Sequence, residues 1–185
     1  MMVGKPSIFA IESCIKTAYS RLGFRALGSF LIHIQGHRYG VQDPEATMLA
    51  CSFDEVERRI KNRGMHTAPL LVKLSPSEIA ETFRRLYYSD NSDDDGLANS
   101  DNAFFSKHIV WAPDGDSAFD DGSYILQFDI ADNVRLVAFK AATDSLFDSN
   151  TLREVVIKAD DFYTILEQWH EQFLTEWTAL PQLLD

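Results

Sequence analysis

The chain has 185 residues, 45% of them apolar and 12% aromatic, and a formal net charge of −11. That size supports one ordinary buried core with no disulfide or metal staple. The acidity excludes nucleic acid and anionic membrane as partners, because phosphate binding needs lysines and arginines that displace counterions. Cations and basic proteins are the partners it favours. The charge is unevenly placed. Residues 1–88 carry 12 Lys and Arg against 8 Asp and Glu (+4), and residues 89–185 carry 5 against 20 (−15).

The N-terminus, MMVGKPSIFAIE, has neither a basic leader nor a long apolar run, so no signal peptide is expected. No stretch approaches the roughly 20 apolar residues of a membrane span. Cys14 and Cys51 match no zinc or redox spacing. They read as reduced, partly buried thiols of a cytoplasmic protein.

In chain order, the first strand signal is Ser7 to Lys16, with apolar residues on both faces, which suits a central strand. SFLIHIQ follows, with Phe30, Ile32 and Ile34 on one face and Gly28 and Gly36 at its ends. Ser52 with Glu55 spells a capping box ahead of the helical stripe Phe53, Val56 and Ile60. Ser75 with Glu78 spells another, with Pro76 at the first helical position and Ile79, Phe83, Leu86 and Tyr87 as its stripe. A short strand is expected between them at Leu70 to Lys73.

Residues 89–121 lose periodicity and hold nine aspartates against one lysine, Lys107. They read as a long acidic loop, broken by a short strand at His108 to Trp111. A hairpin comes next. Tyr124, Leu126, Phe128 and Ile130 alternate on one strand, Val134, Leu136 and Ala138 on the other, and Asp132-Asn133 sits at the turn. A strand from Glu154 to Lys158 leads into a last helix capped by Asp160 or Asp161. Its stripe is Phe162, Ile165, Leu166, Trp169, Phe173 and Trp177, and Pro181 ends it. Strands without βαβ alternation imply an α+β fold: a mainly antiparallel sheet with two central helices and a C-terminal helix packed on it, in a single domain over residues 1–185.

Sites of chemistry are sparse. Asn91 to Asn102 imitates a calcium loop through Asp93, Asp95 and Gly96, yet Asn102 stands where a bidentate Glu should complete the coordination. His33 and His37 have no further ligand at metal spacing. Cys51 lies just before a helix start, where a thiol can be activated, but no histidine is placed beside it. No serine elbow or phosphate-cradling glycine loop is present. No catalytic residue, metal site or cofactor is therefore expected.

GKPSIFAIES, with Gly4, Phe9, Ala10, Ile11 and Glu12, resembles the opening of the immunity protein 42 family of bacterial polymorphic-toxin systems. GSFLIHIQGHRYG, with Gly28, Phe30, Ile34, Gly36 and Gly40, is similar to that family's second strand and turn. The pattern departs at Val41, where an acidic residue is expected, with Asp43 two positions on. The resemblance implies a cytoplasmic protein that binds a cognate toxin domain, such as a nuclease, and blocks it. The acidic half fits that role, since it would present charge where phosphates sit and speed association. Asp93, Asp94, Asp95, Asp114, Asp116, Asp120 and Asp121 are the expected electrostatic residues. Trp111 has two readings, buried packing and an interface anchor beside the acidic loops, and it is kept with the partner-binding residues. Two alternatives stay open: an acidic adaptor for another basic protein, and a small calcium-binding or carboxylate-dependent enzyme.

Overall fold

The computed structural model describes residues 1–88, 109–111 and 116–184. Its strands form two antiparallel sheets instead of one. The first runs in the order β1 (Met2–Lys5), β2 (Phe9–Tyr19), β3 (Ala26–Ile34) and β4 (His37–Tyr39). Here β5 (Thr47–Met48) also pairs with β3, and β9 (Gln182–Leu183) pairs in parallel with β2. The second sheet is β6 (Ser123–Ile130), β7 (Asn133–Lys140) and β8 (Asp148–Lys158), in that order. Three α-helices are described: α1 (Ala50–Lys61), α2 (Pro76–Tyr88) and α3 (Ala159–Ala179).

Central placement of β2 explains its two-sided apolar sequence. Phe9, Ile11 and Ile15 enter the main core, and Ala10 is also fully buried. Cys14 and Lys16 reach solvent near the other end. The glycines beside this strand are steric requirements. A Cβ on Gly28 would lie 2.0 Å from the Cys14 carbonyl oxygen, and Gly40 adopts φ 113°, where a side chain is strained.

The main core lies between the sheets. Phe30 and Ile32 meet Ile125, Leu136 and Val155, and α1 and α3 contribute Phe53, Phe162, Leu166, Trp169 and Phe173. Trp169 is the hub. It meets Phe30 edge-on at 5.2 Å and Phe173 at 5.3 Å, and its Nε1 donates to Ser13 Oγ at 3.0 Å. Losing such a ring costs about 3–5 kcal/mol. A second core forms where Ile79 and Phe83 of α2 cover Leu126, Phe128, Val137 and Phe139. The second sheet is thus buried on both faces. Ile125 and Gln127 are accordingly as buried as the alternating set that the hairpin pattern picks out, whereas Ile130 is exposed.

Several local expectations change. Leu71–Lys73 is one turn of 3-10 helix, not a strand. His108 lies outside the described residues, and Ile109 to Trp111 form a single bridge on β6 through Val110 and Leu126. The β6–β7 turn is Ala131-Asp132, because Asn133 already pairs with Ile130; Ala131 takes φ 49°. Only the second capping box forms. Ser75 N–H donates to Glu78 Oε2 at 2.8 Å, and Glu78 N–H returns to Ser75 Oγ at 3.4 Å. The first helix starts earlier, at Ala50, so Ser52 lies inside its first turn and its hydroxyl points to Asp116. Lys158 precedes α3, so Asp160 and Asp161 sit within the first turn and act on the helix dipole instead of capping it. The helix ends at Ala179, and Leu180 is extended, as the following Pro181 requires. Both cysteines are exposed, not partly buried.

Candidate partner-binding surface

The described aspartates fall into two physical classes. Asp129, on β6, belongs to the buried class. Its Oδ2 accepts from Gly64 N–H at 2.7 Å, His66 Nδ1 at 2.9 Å and the Tyr163 hydroxyl at 3.0 Å, and its Oδ1 accepts from Gln127 Nε2 at 3.0 Å. Burial alone would raise its pKa, but the bonds from His66 and Gln127 prevail and hold it below the usual carboxylate value. Burial, with the Asp129 charge next, pushes the Tyr163 phenol well up. The trio His66, Asp129 and Tyr163 superficially resembles a catalytic relay. A carboxylate saturated with donors and held low is a poor proton acceptor near neutrality.

The network runs on through the core. Gln127 Oε1 accepts from Arg59 Nη1 at 2.8 Å, and Arg59 Nη2 donates to the Val110 carbonyl at 2.6 Å. Arg59 Nε lies 2.8 Å from Glu55 Oε1, and the guanidinium covers the Trp111 ring at 4.6 Å. A fully buried guanidinium is tolerated only with such partners. Burial nevertheless draws its pKa down to about 10.

This geometry decides what the expected residues do. Asp93, Asp94, Asp95 and Asp114 lie outside the described residues. Trp111 is 1% exposed and packs on Phe9 and Phe162, so it fills the core. Asp116 is buried too. Its Oδ1 accepts from Ala118 N–H at 3.0 Å, capping the 3-10 turn Ser117–Phe119, and its carboxylate receives the Thr47 and Ser52 hydroxyls. Burial raises its pKa despite those bonds. Asp121 is half-buried and pairs with Lys140 at 2.5 Å. Of the expected residues that are described, Asp120 alone presents an exposed carboxylate.

Exposed carboxylates are spread over the described surface, from Asp43 and Asp54 to Asp120, Asp132 and Asp144, and α3 gathers four of them on one helix. Phe162, Leu166, Trp169, Phe173 and Trp177 face inward, which turns Asp160, Asp161, Glu167 and Glu171 to solvent. The helix also holds Glu176, half-buried, and has no Lys or Arg. Cations reach it from outside: Arg63 pairs with Asp160 and lies 4.9 Å over the Tyr163 ring, and Arg25 lies 5.9 Å over the Trp177 ring. Near its N-terminus a cleft of about 430 Å³ is lined by Arg63, Asp129, Asp132, Lys158, Asp161 and Tyr163, among others. These helix carboxylates were missed in the sequence because the apolar stripe was read without the charge of its complement.

The other candidate chemistries find little support in the geometry. Burial, with Asp116 and Asp54 next, raises the Cys51 pKa, which is the opposite of activation. His33 pairs with Glu12 at 2.8 Å, while His37 lies against the Tyr39 ring. Among the described residues no three His, Cys, Asp or Glu converge to hold a metal. No described helix is long and apolar enough to cross a membrane.

Comparison with known proteins decides the family. The model of immunity protein 42 matches residues 1–172. The chain belongs to the immunity protein 42 family. A crystal structure of CdiI from Burkholderia dolosa AUO158 shares the fold of this immunity protein, with a TM-score of 0.62 at 15% identity, covering 93% of this chain and 99% of that one. No curated protein matches by sequence.

Proposed function

We propose that this immunity protein acts in the cytoplasm, where it binds a cognate toxin domain and blocks it by occlusion. Family membership is the observation that carries the reading. The charge layout supports the type of partner. The second half of the chain holds −15, and the outward face of α3 presents Asp160, Asp161, Glu167 and Glu171. A toxin with a basic active site, such as a nuclease, would meet carboxylates where its substrate phosphates sit. Long-range attraction of this kind raises association rates toward 10⁸–10⁹ M⁻¹s⁻¹ at low salt. Asp120 extends the acidic surface, and Asp121 belongs to it only with its charge paired to Lys140. Asp93, Asp94, Asp95 and Asp114 belong to the same proposal through their charge. Trp111 acts from the core, by holding the chain on β6. Nucleic acid and anionic membrane are not partners of such a surface.

Co-expression tests the role directly. The toxic C-terminal domain encoded by the gene immediately upstream should arrest growth alone and should not when this chain is present. Continued arrest beside well-folded, abundant immunity protein would sink the reading.

A further inference from the structure

The second sheet ends in an open edge. Its order is β6, β7, β8, so β8 has β7 on one side and no strand on the other among the described residues. The register shows which main-chain groups are left over. Ala159 N–H donates to the Asp132 carbonyl at 2.9 Å, and β7 and β8 then pair without a shift from Asn133 and Lys158 to Ala138 and Arg153. Antiparallel ladders alternate, so Val155 and Ile157 spend their N–H and C=O on β7, and Glu154 and Val156 aim theirs outward. No main-chain bond on that outer side is made among the described residues. The open strip is bounded. Tyr39 and Arg153 bond the carbonyls of Thr151 and Leu152 at one end, and α3 begins at the other.

Native proteins blunt exposed edges with prolines, bulges, charged side chains or covering segments, and here the charges Arg153, Glu154 and Lys158 flank an uncharged stretch from Val155 to Ile157. The one irregularity of β8 lies near Lys140, away from this strip. The sequence REVVIK over residues 153–158 has no proline, and its Val156 is 59% exposed. Ile130, on the same sheet face, is exposed as well, as are Met65 and Leu70 nearby in the segment that crosses it. Apolar side chains beside unpaired main-chain groups suit one kind of occupant, an extended segment with its own N–H and C=O row. The strip itself carries Arg153 and Lys158 against Glu154, and the exposed Asp160 and Asp161 begin the helix that follows it, so a basic partner drawn to those carboxylates arrives beside the strand.

We infer that the outer edge of β8, at Glu154 and Val156, receives an extended segment of the basic toxin domain as a fourth strand of the second sheet. It rests on the toxin-binding role proposed above and adds where the main chain of the partner docks.

Val156 provides a clean test, because no described residue uses its N–H. Val156→Pro removes that outward donor and leaves the β7 ladder whole, an arrangement edge strands accept. Val156→Thr keeps the donor and changes only the side chain. Binding is measured against the purified, inactivated toxic domain encoded immediately upstream. Val156→Pro should weaken binding at least about tenfold, and Val156→Thr should stay within about threefold. Equal losses in both variants, or none in a folded Val156→Pro protein, overturn the inference and leave the toxin-binding role standing. No binding by the wild-type chain overturns both. Amide exchange gives a reading without mutation. The Glu154 and Val156 amides should exchange quickly in the free chain and become protected with the toxin domain present. Protection that appears instead with rising concentration of the chain alone assigns the edge to a second copy and overturns the choice of partner, as does continued fast exchange in the complex.

Discussion

Asp129 and Glu171 carry the same charge and are used in opposite ways. The first is enclosed by Gly64, His66, Gln127 and Tyr163, which take up its oxygens and leave it nothing to offer a partner. The second stands on the outward face of α3, a helix with no Lys or Arg. Counting carboxylates therefore does not locate a binding surface. Enclosure turns an aspartate into part of the scaffold, and exposure beside like charges turns a glutamate into part of a field that reaches about a Debye length, ~8–10 Å at physiological salt.

The largest expected effect lies in the enclosed region. Arg59→Ala leaves the Val110 carbonyl and Glu55 Oε1 without their guanidinium, Glu55 keeping only Arg58 on Oε2, and opens a cavity under Trp111. Loss of one partner from a buried pair costs about 3–5 kcal/mol. Urea unfolding should show that loss, and a drop below about 1 kcal/mol would mean that Arg58 and water replace the network.

Next comes a contrast between two buried aspartates. Asp129 is held below its ordinary pKa, so its ionised form supports the fold at and above that value, and the support is lost as pH falls through the lower, folded value. Asp116 is raised, so its ionisation opposes the fold as pH climbs from the ordinary value through the folded one. Asp129→Asn should therefore lose about 1–3 kcal/mol at pH 7. Asp116→Asn keeps an oxygen for Ala118 N–H and should change stability by less than about 1 kcal/mol, in either direction. Equal losses in the two variants would erase the distinction between a carboxylate stabilised by its donors and one that is merely tolerated.

On the exposed side, Glu167→Gln with Glu171→Gln should leave the midpoint of urea unfolding unchanged and slow association with the toxin domain. Mid-helix positions suit the test, since Asp160 and Asp161 also act on the helix dipole. The association rate should fall about three- to tenfold, with a shallower salt dependence and little change in dissociation. A change confined to dissociation would place these residues in direct contact instead of in a steering field.

Much of the fold was readable because periodicity reports which side of an element is wet. The stripe of α3 is present as read, whereas β2 buries Phe9, Ile11 and Ile15 on one face and only Ala10 of the expected second set, with Ile8 and Cys14 exposed. The split into two sheets was not readable, because β4, β5 and β9 have two or three residues each, too few to show a pattern. The second core was hidden for a related reason. A sheet covered on both faces loses its alternation, so Ile125 and Gln127 looked like the solvent side of a hairpin. The site was harder still. Nothing in the spacing of Asp116 or Trp111 announces burial, since their neighbours come from Thr47, Ser52, Phe9 and Arg59, far away in sequence.

The smallest effect separates two serines that share one motif. Ser52 and Ser75 each precede a glutamate by three residues, yet only Ser75 closes the reciprocal box with its glutamate. Leu49 explains the difference. Its N–H donates to the Ala26 carbonyl at 2.7 Å and its side chain is fully buried, which fixes the start of α1 one turn before the motif would. Ser75→Ala should then lower the melting temperature by about 3 °C, the usual effect of a lost cap in a chain of this size. Ser52→Ala gives up only a long bond of 3.5 Å to Asp116 and should shift it by less than about 1 °C. Equal shifts would mean that Ser52 caps after all and that tertiary anchoring at Leu49 does not override the local signal.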